Sequence, residues 1–140
     1  MIAMQGQRAT TAGKAFEQQI AAQLRAKGVD FTEQVRLANG SIFGGVKVID
    51  FLIHNLEEYP HGVYLEAKWQ DSLGSAEEKI VFSIACIKET YDKPSILVLD
   101  GDGFKKGVIP WVERQQGGYL IKVLSGGDLT KWLMRNTFTQ

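Results

Sequence analysis

Residues 94–101 read "PSILVLDG", and this short run constrains the fold more than any other part of the chain. It is apolar at consecutive positions and bounded by proline and glycine. A strand of this kind has no polar face to turn to water, so it belongs in the interior of a sheet. Such a sheet needs helices packed on it, which makes the chain an α/β protein with a mixed central sheet flanked by helices. The 140 residues suit one domain, and 44% hydrophobic with 23% charged residues allow a real core.

The other elements fall around that strand. Residues 12–27 place Phe16, Ile20 and Leu24 at four-residue spacing and predict a first helix with Gly28 as its C-cap, while residues 1–10 read as loose. Residues 31–37, 46–54 and 62–69 predict three strands, separated by the turn signals of "ANGSIFGG" and "NLEEYPHG". Ser75 and Glu78 form a capping box for a second helix, whose buried stripe is Ile80, Ile84, Ile87 and Tyr91. After residue 100 come a loop with a short helix near Trp111, a strand in "GYLIKVLS" and a last helix over 127–135. The reading is a single domain over 1–140, with a core at about 12–100 and a C-terminal strand and helix as an extension over 101–140.

Composition excludes several classes. No apolar run reaches the length of about 18 residues that a membrane helix needs, and the N-terminus has no signal-peptide core. The expected location is cytoplasmic. A single cysteine, Cys86, rules out an intrachain disulfide and a cysteine-rich zinc site. Two histidines leave oxygen donors as the material for any metal site, which favours Mg²⁺ or Mn²⁺. Net charge is zero, but residues 46–92 hold nine acids and four bases, whereas residues 101–140 hold six bases and three acids. An acidic centre with basic ends is compatible with a metal site beside a phosphate-binding surface.

Within that acidic centre one constellation stands out. Asp50 sits inside the second strand, in "VIDFLI", where a carboxylate is costly unless paired or metal-bound. Glu66 and Lys68, in "VYLEAKWQ", are two apart on the third strand and share a face. A hairpin centred on residues 55–61 brings Asp50 and Glu66 together. Two adjacent carboxylates repel, and a divalent cation relieves that. Glu17, in the first turn of the expected first helix, can complete the cluster. The chemistry that needs this set is phosphodiester hydrolysis: carboxylates hold a cation that lowers the pKa of a bound water, and an ammonium steadies the charge that develops.

Asp50 followed by Glu66-Ala67-Lys68, in the order helix, three strands, helix, strand, resembles the PD-(D/E)xK nuclease superfamily over roughly residues 12–100. That superfamily includes type II restriction enzymes, Holliday junction resolvases, some homing endonucleases and phage exonucleases. The resemblance implies a restriction-endonuclease-like αβββαβ sandwich and a Mg²⁺-dependent (or Mn²⁺-dependent) DNA endonuclease. It implies Asp50, Glu66 and the backbone carbonyl of Ala67 as metal ligands, Lys68 as the catalytic lysine, and Glu17 as an extra acid on the first helix. Gln70 resembles the polar residue that often follows the E-x-K strand. The departure is Ile49, where the motif's proline would stand. The alternative is a catalytically inactive nucleic-acid-binding or interaction module on the same fold.

Each residue also has a plainer reading. Glu66 and Lys68 can be a surface ion pair, and Asp50 can accept a buried hydrogen bond from Lys47 or a backbone group. Glu17 can simply favour a helix dipole. Lys14 (with Arg8) at the first helix, Ser75 and Lys79 at the second, and Lys105 and Lys106 in "DGFKKG" are candidate phosphate contacts. Their plainer readings are a capping box and solvated lysines. The expected partners are DNA and a second copy of the chain, as a homodimer or larger symmetric oligomer.

Overall fold

The structure, a computed structural model, describes residues 2–70 and 76–140. Helix α1 spans Ile2–Ala26 and buries Phe16, Ile20 and Leu24, as their spacing predicts. It starts at Ile2 rather than near residue 12, so the expectation of a loose segment over 1–10 is overturned. Those residues hold no proline and one glycine, and nothing in them stops a helix from propagating. At the other end the stop is built in. Gly28 has φ +77°, its N–H donates to the Arg25 carbonyl at 3.0 Å, and the Val29 N–H donates to Leu24 at 3.0 Å.

Strands β1 (Phe31–Leu37), β2 (Lys47–Ile53) and β3 (Val63–Trp69) form an antiparallel meander. Helix α2 (Ala76–Glu89) crosses over to β4 (Ser95–Asp100), which runs parallel beside β3. Helix α3 (Val108–Arg114) leads to β5 (Leu120–Leu124), parallel to β4, and α4 (Gly126–Arg135) follows. The sheet order is β1-β2-β3-β4-β5. The capping box expected at Ser75 lies outside the described residues.

The apolar strand occupies the place its composition demands. On β4, Ile96 and Val98 pack with α1 and α4, while Leu97 and Leu99 pack with α2 and α3. The stripe of α2 is buried as expected, and Cys86 lies within the same cluster as a small core residue. Among the described residues no helix is long and apolar enough to cross a membrane.

Two irregularities in the meander position the candidate residues. The pairing of β1 with β2 runs Glu33↔Phe51 and then Val35↔Ile49, stepping over Gln34 and Asp50. Gln34 is left-handed there, with φ +54°. Side-chain alternation flips at the same step: Phe31 and Phe51 join the cluster under α1, Val35 and Ile49 the cluster under α2. Second, the pairing of β2 with β3 stops at Phe51↔Leu65. Continued by one residue, it would set Asp50 opposite Glu66, the register that a hairpin centred on residues 55–61 predicts. The strands part at that point instead. Irregularities of this kind re-aim side chains and end pairing, and they are common beside functional sites.

Candidate active site

The site is built where the ladder opens. Asp50 Oδ2 accepts the Ala67 N–H at 2.8 Å, so a side chain bonds to the backbone that the strand partner has left. This realises one of the plainer readings of Asp50, a carboxylate bonded to a backbone group. Its surroundings are still unusual for an ionised acid. Burial pushes the Asp50 carboxyl up, the Glu66 charge adds to that, and the Lys68 and Lys47 ammoniums and the Ala67 N–H pull the other way. Among the described residues Asp50 has no ion-pair partner within 4.0 Å.

Glu66 is 1% exposed, and the protein itself engages both of its oxygens. Oε1 takes the Lys47 ammonium at 2.9 Å, with the Lys68 ammonium 4.0 Å away. Oε2 accepts the Tyr91 hydroxyl at 2.6 Å. The Glu66–Lys68 pair is therefore not a surface pair, which removes that plainer reading. Tyr91 in turn packs edge-on to Tyr64, and the Lys47 ammonium lies 5.9 Å from the centre of the Tyr91 ring.

Glu17 belongs to this group, although not where the sequence sets it. It lies well inside α1 rather than in the first turn, so the helix-dipole reading loses its basis. Gln34, at the flipped position of β1, donates from Nε2 to Glu17 Oε1 at 3.0 Å. The Glu17 carboxyl is pushed from its ordinary 4.5 up to about 7, by burial first and by the Asp50 charge second, with Lys68 and Gln34 opposing. Glu17, Asp50, Glu66 and Lys68 thus share one electrostatic environment. Two further residues touch Glu66. Lys47, which the sequence offers as a partner of Asp50, pairs with Glu66 instead, and Tyr91 is visible in the sequence only as the end of a buried stripe.

The other candidates fall into different settings. Gln70 is buried, with its Nε2 unpartnered among the described residues. Its backbone is fixed by Gln70 N–H to Asp100 O at 3.1 Å and Gly103 N–H to Gln70 O at 2.8 Å. Gly101 is required beside it: φ is +106°, and a Cβ would lie 2.1 Å from the Gln70 carbonyl oxygen. Lys14, Lys79 and Lys106 are exposed. Lys105 is committed to Glu77, with Nζ 3.7 Å from Oε1 and its N–H donating to Oε2 at 3.2 Å. Ser75 lies outside the described residues.

The donor set suits a hard cation. Asp50, Glu66 and the Ala67 carbonyl supply oxygen only, and Asp50 and Glu17 sit in surroundings that penalise uncompensated negative charge. No three His, Cys, Asp or Glu side chains among the described residues are grouped closely enough to hold a metal by themselves. Glu17, Asp50 and Glu66 therefore do not form the closed three-acid cluster that the sequence predicts.

The raised Glu17 carboxyl predicts a pH dependence. The folded protein keeps that proton up to about pH 7, whereas the unfolded chain releases it near 4.5. Between those values the folded state binds more protons, so this group makes stability fall as pH rises through the window. Metal-free protein is expected to show a larger drop in melting temperature from pH 5 to 7.5 than Glu17→Gln. Parallel pH profiles for the two proteins would contradict the assignment.

A five-stranded mixed sheet between helical layers, with an acid pair and a lysine where two central strands part, defines the restriction-endonuclease-like class of α/β fold. The chain belongs to the PD-(D/E)XK nuclease superfamily: the family model for a PD-(D/E)XK nuclease superfamily domain matches residues 8–135. Comparison with curated proteins and with solved structures finds no match.

Proposed function

We propose that the protein is a Mg²⁺- or Mn²⁺-dependent DNA endonuclease. The observation that carries this reading is Asp50. It is a half-buried carboxylate set at the break in both ladders, held by the Ala67 N–H and raised by burial and by Glu66, with Lys68 beside it. A bare structural role gives no reason to keep a charge in that place. In this reading Asp50, Glu66 and the Ala67 carbonyl would hold the cation, and Glu17 would offer a further carboxyl on the α1 side. When bound, the cation supplies Lewis-acid stabilisation of the scissile phosphate and a more acidic water. Lys68 places its ammonium where negative charge develops during attack. Gln70 directly follows the strand of Glu66 and Lys68 and supports the site from a buried position, and Lys14, Lys79 and Lys106 contact backbone phosphate without reading bases. Lys105 joins them only by releasing Glu77. Two copies of the chain, one site per strand, fit cleavage of a duplex.

A second reading is supported by Glu66. Its two oxygens are already taken up by Lys47 and Tyr91, as in a module that keeps the fold for binding alone. One assay separates the two. The protein is incubated with linear duplex, nicked circle and four-way junction, with Mg²⁺, Mn²⁺ or EDTA. The enzyme reading expects cleavage of at least one substrate that EDTA stops. Binding without cleavage under every metal condition would leave the module.

A further inference from the structure

We infer that Lys47 is the resident counter-ion of Glu66, and that it yields this place when a divalent cation binds. The inference rests on the proposed metal-dependent reading, and its subject is the Lys47–Glu66 ion pair. Glu66 is 1% exposed, and a carboxylate so far from water needs a charged or hydrogen-bonding partner at each oxygen. The nearest cation is Lys47, at 2.9 Å, closer than the 4.0 Å of Lys68 to the same oxygen. Among the described residues Asp50, across the parted strands, has no cation that close. Positive charge in the metal-free protein is thus concentrated on one of the two acids that would hold the cation.

A cation held by Glu66 would meet the Lys47 ammonium already at that oxygen, and like charges at that range repel. Lys47 is able to move. Its ammonium is a compact charge on a flexible four-carbon stem, and its side chain is 13% exposed, so it has a way out to water. The Tyr91 ring, 5.9 Å from the ammonium, offers a cation–π surface on the way. Tyr91 does not have to move, because its hydroxyl occupies the other oxygen of Glu66. Lys47 therefore holds the Glu66 carboxylate in place until the metal arrives, at some expense of metal affinity. Lys47 is a positioning residue here: it acts through Glu66.

The test is Mn²⁺ binding to the full chain without nucleic acid, followed by calorimetry or by the electron-spin signal of the free ion. Lys47→Met keeps the length of the stem and removes the charge. It is expected to bind Mn²⁺ at least about tenfold more tightly, since a unit charge a few ångströms from a divalent ion repels it even at high effective permittivity. Its metal-free melting temperature is expected to fall, and Mn²⁺ is expected to raise that temperature by more than in the parent. Lys122→Met, at the exposed position of β5, serves as a control for net charge and is expected to stay within about twofold of the parent. Should Lys47→Met fail to fold, Lys47→Gln removes the same charge while retaining a donor to Glu66. A parent that binds Mn²⁺ and a neutral variant that binds it equally or more weakly would overturn the role of Lys47 alone. A parent that binds no Mn²⁺ at millimolar concentration would overturn the metal-dependent reading together with this one.

Discussion

Asp50→Asn is expected to lower metal-dependent hydrolysis by about a thousandfold or more while leaving the metal-free fold at least as stable as the parent. The loss follows from the proposed chemistry. An amide is a poor ligand for a hard cation, and a site without its cation loses both the Lewis acid and the activated water. The stability follows from the hydrogen bond and the charge. The side-chain oxygen of asparagine can still accept the Ala67 N–H that Asp50 accepts at 2.8 Å. Because burial and Glu66 raise the Asp50 carboxyl, the folded state disfavours its charge, and an uncharged side chain of the same shape relieves that. Cleavage of the parent's best substrate and the melting temperature without metal check the two halves. Undiminished cutting would remove Asp50 from the chemistry. A large loss of stability would show that its charge is structural. Stability gained as activity is lost is the usual mark of a residue kept for function.

Much of this arrangement is legible in the chain, and the parts that are not share a cause. The hairpin between β2 and β3 is readable because "NLEEYPHG" has turn chemistry and the flanking residues alternate, which fixes the register as far as Phe51↔Leu65, one step short of Asp50 and Glu66. The apolar run at 95–99 predicts its buried position for the same local reason. The flip at Gln34 and Asp50 is not readable. In "FTEQVRL" the residues Phe31, Val35 and Leu37 alternate as though they share one face, yet Phe31 packs under α1 and the other two under α2. Nothing local demands a left-handed Gln34; the contact with Glu17 on a separate helix accompanies it. Glu17 itself is misplaced by the sequence because a helix start needs a cap or breaker to be visible, and α1 runs through residues 2–10 without one. Lys47 and Tyr91 reach Glu66 from 19 and 25 residues away along the chain, and such a distance leaves no periodic trace.

Those two contacts make the second acid behave in the opposite way to the first. Glu66→Ala is expected to lower the unfolding free energy of the metal-free protein by about 3–5 kcal/mol, the range for removing one partner of a buried pair. The truncation deletes the acceptor of Tyr91 and leaves Lys47 and Lys68, 13% and 18% exposed, with their shared countercharge gone. Asp50 is the remaining acid nearby, and its interactions with Lys47 and Lys68 soften the loss without replacing a 2.9 Å pair. Denaturant unfolding of Glu66→Ala, Asp50→Asn and the parent without metal measures the difference. Equal shifts for the two variants would mean that Lys47 and Tyr91 contribute little to the fold and that both acids are held in the same way. With unequal shifts, the cleavage assay on Glu66→Ala is interpretable only at temperatures where that variant remains folded. Asp50→Asn needs no such correction, because its charge is the one the fold disfavours, and it isolates the chemistry from the stability of the site.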